Sequence, residues 1–162
     1  MAERSTGWKM PLLICLIVLL GVGVKYLLTA DVPLTPLPAP LVAEAKTFDI
    51  RADMNREGEM WMEQITTSSS GMAQKEGRDR AVELVARKAL AMGRFSAACT
   101  AAAVMFHTDI RDTLLNDIGR AAAENRETIP WAVYATEGMA ATQMREQLHQ
   151  HIIARWQALG GK

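Results

Sequence analysis

Aromatic side chains make up only 6% of the 162 residues. After position 40 a single proline, Pro130, is left. A sheet sandwich draws on aromatic and β-branched residues with frequent Gly/Pro turns, so this composition argues against one. Alanine and methionine are plentiful instead, as in helical domains. Charge of either sign in excess is also missing, since Lys plus Arg and Asp plus Glu stand at 18 each. Three basic and two acidic residues precede Leu41, which leaves 15 and 16 beyond it. No basic patch of the kind that nucleic acid requires is present. Cysteine is nearly absent too. Cys15 sits in an apolar run and Cys99 far from it, so no disulfide framework exists. Within "AACTAAAVM", Cys99 reads as a small buried apolar residue.

What the sequence does have is one long apolar run near its start. Residues 10–30 form a 21-residue stretch whose only charge is Lys25, enough for a helix of about 31 Å that matches a hydrocarbon core. Twelve residues from Leu12 to Leu28 are Leu, Ile or Val, which on the insertion scale contribute about −4 to −7 kcal/mol. Lys25 lies near one end and can snorkel. Cleavage is disfavoured: Ala30 suits a signal-peptidase site but Leu28 does not, and the run exceeds a signal core. Leu12-Leu13-Ile14 before Cys15 is no lipoprotein site. The flanks set the orientation. Arg4, Lys9 and the amino terminus precede the span, Asp31 follows it, and the positive-inside rule keeps residues 1–9 in the cytoplasm. The expected location is a bacterial inner membrane, single-pass, with residues 41–162 in the periplasm.

Residues 31–40, "DVPLTPLPAP", carry four prolines. They exclude helix interior and central strand and suggest an extended, semi-rigid spacer of roughly 25–30 Å.

From Leu41 on, helical periodicity dominates. Leu41, Ala45, Phe48 and Ala52 share one stripe; Ile50, Met54, Trp61 and Ile65 share another, with Gly58 as a break. "TTSSSGMAQ" is a loop. A helix over 77–93 buries Ala81, Val82, Val85 and Ala89 and stops at Gly93. A small-residue helix follows, then one over 109–125 capped by Thr108, with Ile110, Leu114, Ile118 and Ala121 inward. Thr128 and Pro130 open the next. The last runs from Gln143 to Leu159 and closes at Gly160 and Gly161.

"RDRAVELVARKAL" from Arg78 and "RDTLLNDIGRAAA" from Arg111 align 33 residues apart, with a weaker copy around Leu148 and Ile152 another 34 on. Such a period marks helix–turn–helix repeats. The stretch 78–110 resembles a degenerate tetratricopeptide unit: Gly93 and Phe95 match that family's turn, and Ala86 and Ala98 its small helix residues. Ala102 and Ile110 depart from the pattern where a bulky residue and a proline are usual. The resemblance implies an antiparallel helical-hairpin bundle that binds other proteins in a groove. The expected fold class is therefore all-α: a transmembrane helix, a proline-rich spacer and a tetratricopeptide-like bundle.

Motifs for chemistry are weak. His149 and His151 are two apart, so a helix points them about 200° away from each other, and metal-binding helices space their ligands by three or four. His107 lies at a helix end, where a partly cationic ring suits the dipole. Glu57, Glu59 and Glu63 lie on a charged face, and "TTSSS" lacks a nucleophile elbow or a nearby base. No catalytic residue, metal or cofactor is expected. Trp61, Trp131, Tyr134 and Trp156 are the large aromatics of the domain, and Met60 and Met62 flank Trp61 as adaptable apolar surface, so these six are the partner-binding candidates. The expected role is an accessory or assembly subunit of an envelope complex of the secretion, conjugation or pilus type. It would contact lipid through 10–30 and other envelope proteins through the domain, with self-association a further option. The competing classes are a membrane-anchored envelope enzyme such as a cell-wall hydrolase, and an exclusion or sensor protein.

Overall fold

The computed structural model describes residues 33–48 and 74–161, with positions 60, 63–65 and 67 between them. All regular structure among these residues is helical. The proposed membrane segment 10–30 and its flanking Arg4, Lys9 and Lys25 lie outside them. No helix among the described residues is long and apolar enough to cross a membrane. Pro33–Lys162 is one compact unit.

Its helices are α1 (Ala39–Ala45), α2 (Lys75–Ala91), α3 (Phe95–Ala103), α4 (Thr108–Ala122), α5 (Ile129–Glu137) and α6 (Thr142–Ala158). The stripes read over α2 and α4 face the core, with Ala81, Val85, Ile110 and Ala121 half-buried at their margins. Phe48 of the first stripe is exposed, and Ile50, Ala52, Met54 and Trp61 lie outside the described residues. Val82, Ala86 and Ala89 of α2 are fully buried, as are Leu114, Ile118 and Ala122 of α4. Three residues join α2 to α3, with Gly93 at a positive φ of 71°. Only glycine adopts that conformation freely, so the chain turns back here. α2 packs on α3 and α4 on α5, and α3 and α4 join the two pairs. α6 lies on α4 and α5, and α1 lies on α5.

α4 and α6 approach closely because Gly119 leaves room for Leu148. A Cβ at Gly119 would stand 2.6 Å from Leu148 Cδ2. Gly160, at φ 80°, ends α6. A Cβ on Gly161 would collide with the Trp156 indole. Arg126 stacks 4.1 Å from the Trp156 ring centroid and forks onto the Glu44 carboxylate at 3.0 and 2.9 Å. One guanidinium thereby links α1 to α6.

Helix entry differs from the expected local caps. Thr108 is the first residue of α4 and not its cap. The amides of Phe106 and His107 instead donate to Asp79, a fully buried carboxylate on α2, at 2.7 to 3.1 Å. Thr113 bonds back to Asp109 O within α4. Before α6, the amides of Ala140 and Ala141 donate to the buried Asp112 of α4 at 2.6 to 3.1 Å. Asp79 and Asp112 are the pair 33 apart in the aligned segments, and each puts negative charge at a helix N-terminus, where the dipole favours it. Thr128 does precede α5, but its hydroxyl donates to Ala122 O at 2.7 Å.

The spacer expectation requires correction. Residues 33–38 are non-helical, as their prolines dictate, but they are bound down as a strap. Thr35 donates its amide and hydroxyl to Glu146 of α6 at 2.6 and 2.5 Å, and His149 Nδ1 donates to Thr35 O at 2.8 Å. Pro40 falls in the first turn of α1, where its missing N–H does no harm, and Leu41 is fully buried. α1 also ends at Ala45 and not beyond Phe48, because the chain turns at Lys46–Thr47, with the Thr47 hydroxyl on Glu44 O at 2.7 Å.

Hydrogen bonds from Thr35, above all that of its hydroxyl, hold the Glu146 carboxyl below the usual range, against the opposing effect of burial. A lowered folded pKa gives stability that is present above the ordinary carboxylate pKa and is lost as pH falls through the lowered value. The Thr35 amide should therefore keep its exchange protection from pH 7 to 5 and lose it under stronger acid. Glu146→Gln should weaken protection at pH 7 and flatten its pH dependence. Equal profiles for both proteins would contradict the clamp.

Candidate protein-interaction surface

α5 is short and almost wholly buried: Ile129 to Val133, Ala135 and Thr136 all face inward. Tyr134 and Glu137 are left, three apart and so on one face. Tyr134 is 39% exposed. Beneath it lies a short aromatic ladder. Trp131 meets Phe48 edge-on at 5.3 Å and Tyr134 edge-on at 6.2 Å between ring centroids, the arrangement favoured by ring quadrupoles.

Three hollows surround this face, and Glu137 borders all of them. The first, about 310 Å³, lies between α3, α4 and α5, with Arg111 and Tyr134 at its edge and Cys99, Ala103 and Leu115 around it. The second, about 260 Å³, lies between the strap, α1, α5 and α6, and is bordered by Leu37, Val42, Arg145 and His149. The third, about 200 Å³, is bordered by Lys46, Phe48 and Tyr134. Gly138 shapes the first, since a Cβ there would touch Leu115 Cδ1 at 3.0 Å.

Burial pushes the Cys99 thiol up to about 12, so it stays protonated near neutrality and lacks the thiolate that nucleophilic attack requires. Burial, with Cys99 and Glu137 nearby, raises the Tyr134 phenol as well, so it stays neutral and can donate. Elsewhere, His107 Nδ1 stands 2.7 Å from Asp79 Oδ2. Burial alone would raise Asp79, but the amides of Phe106 and His107 and the His107 ring bring it below the ordinary value. His149 reaches the strap, while His151 has a buried Nε2 without a hydrogen-bond partner among the described residues. Burial, followed by Arg120, lowers the His151 ring's pKa. Glu63 is exposed, and Glu57 and Glu59 lie outside the described residues.

Of the six aromatic and methionine candidates, Tyr134 stands on this surface and Trp131 supports it from the core, 6% exposed. Trp156 is buried under Arg126, away from the hollows. Met60 is 54% exposed, and Trp61 and Met62 lie outside the described residues. Sequence reasoning missed Phe48, Glu137, Arg111 and Arg145 as surface residues. A signal for the arginines existed: Arg78-Asp79, Arg111-Asp112 and Arg145-Glu146 recur at 33 and then 34 residues. No family model, curated protein or solved structure matches the chain.

Proposed function

We propose that this is a membrane-anchored adaptor whose helical unit binds another envelope protein as an accessory or assembly subunit. In this reading residues 10–30 span a bacterial inner membrane, 1–9 stay in the cytoplasm and the unit from Pro33 lies in the periplasm. The helix pairs are taken as degenerate tetratricopeptide-like hairpins. The recurring contact of Asp79 and Asp112 with the entry to the next helix supports that, since each pair is tied to its successor. The strap binds α6 through Thr35, so the unit itself begins within the proline-rich stretch.

The observation that carries an interaction role is the set of hollows around Tyr134 and Glu137, with aromatic side chains beneath and beside them. Aromatic anchors beside concave, partly apolar surface are the usual makings of a hot spot. Gentle crosslinking and detergent extraction from the native membrane should recover the full-length protein in a larger assembly, and Tyr134→Ala should reduce that recovery. A lone monomer in both cases would overturn the adaptor role.

A further inference from the structure

We infer that the Tyr134–Glu137 face takes an acidic peptide segment of its partner, held by Arg111 and Arg145 on either side of Glu137; this deepens the adaptor reading and rests on it. Among the described residues, Arg80, Arg87, Arg126 and Arg155 each hold a carboxylate at 2.7 to 3.1 Å. Arg111 and Arg145 do not. The nearest carboxylate to Arg111 is Asp112, at 3.7 Å, and its oxygens are already engaged by Ala140 and Ala141. The carboxylate beside Arg145 in sequence, Glu146, is engaged by Thr35 and Gln150. The Nε atoms of Arg111 and Arg145 are buried and unpartnered among the described residues. Arg78, at the corresponding place in the first segment, stacks on the Phe106 ring instead, at 4.4 Å.

Asp79 and Asp112 thus bind the backbone that follows and Glu146 binds the strap, and each leaves its neighbouring arginine without a strong counterion. Arg111 borders the first hollow and Arg145 the second. Lys46 borders the third. Against these three cations, Glu137 is the one carboxylate among the described residues that borders the hollows. A guanidinium takes a carboxylate in a two-bond fork, and removal from bulk water strengthens the pair. The apolar parts of the hollows, Leu115 and Ala103 in one and Leu37 and Val42 in the other, suit side chains between the acids. A phosphate surface would gain nothing from them. The occupant is therefore a peptide that alternates acidic with apolar residues.

The test uses full-length protein in phosphatidylcholine nanodiscs and a displayed library of random 12-residue peptides. Selected peptides should be rich in Asp and Glu beside apolar residues. By fluorescence anisotropy their affinity should fall at least tenfold in Arg111→Gln and in Arg145→Gln. Arg80→Gln should leave it unchanged, because Arg80 is paired with Glu76 on exposed α2 surface. Arg111→Lys should lose less than Arg111→Gln, and Glu137→Gln should tighten binding several-fold. Selection without acidic bias would overturn the inference and needs no variant to fold. So would equal affinity in the glutamine variants, or binding of phosphatidylglycerol vesicles that these variants abolish while acidic peptides fail to bind. If the native assembly is recovered with wild-type and with the double glutamine variant alike, the inference fails and the adaptor role stands. If no assembly is recovered even with wild-type, the adaptor role itself fails.

Discussion

Replacing Asp112 with alanine should lower the unfolding free energy by about 3 kcal/mol. The carboxylate is 1% exposed and accepts three amide contacts from Ala140 and Ala141. Hydrogen bonds to a charged group contribute about 1.5–3 kcal/mol each. Two corrections reduce the sum: Ala140 and Ala141 are exposed enough for water to take their amides, and alanine removes the desolvation of the carboxylate. Loss of charge at the start of α6 adds a little back. For a unit of this size the net should lower Tm by roughly 10 °C, read by far-UV circular dichroism. Asp112→Asn keeps one acceptor and should lose about half as much. Asp117→Ala, which removes only the exposed pair with Arg87, should lose under about 0.5 kcal/mol. If Asp112→Ala were as mild as that control, the entry to α6 would be held by something other than this carboxylate.

The second large effect concerns Gly119. Its missing Cβ leaves room for the whole end of Leu148, with Cδ2, Cδ1 and Cγ at 2.6, 3.1 and 3.3 Å from where that atom would stand. Leu148 is fully buried, so rotating one methyl does not clear the space. Gly119→Val should destabilise by about 3 kcal/mol, combining overpacking with χ1 restriction in a helix. Gly119→Ala is more informative because two effects oppose. Alanine gains about 1 kcal/mol in helix propensity and loses about 2 to crowding, for a net loss of about 1. In a Leu148→Ala background the crowding is gone, and the same change should stabilise by about 1. That change of sign in a double-mutant cycle, measured by urea unfolding, is the diagnostic result. A Gly119→Ala that stabilises the wild-type protein would mean that α4 and α6 do not meet there.

The helices and their buried faces were legible because periodicity is local information. Val82 and Ala89, or Leu114 and Ile118, announce their stripe within a few turns, and Gly93 marks its stop by itself. The caps were not legible, because Thr108 sits where a local cap belongs while the acceptor, Asp79, lies 28 residues upstream of His107. Thr35 and Phe48 misled for a related reason. Prolines near Thr35 exclude a helix but do not say whether the chain is free or bound, and Phe48 fits a helical stripe that a turn at Lys46 interrupts. Among the surface residues, Tyr134 was readable as an aromatic anchor. Arg111 and Arg145 were legible only as members of the repeat, since their isolation follows from where Asp112 and Glu146 turn.

The strap has a further consequence for biosynthesis. Thr35 and Glu146 are 111 residues apart, so at about 5–20 residues per second the ribosome makes the second roughly 5–20 s after the first. The opening segment of the unit must wait, unclasped, until almost the last helix emerges, and the slow non-local step comes at the end of folding. A nascent chain stalled before Glu146 should therefore expose this segment to protease, even with α2 to α5 already formed.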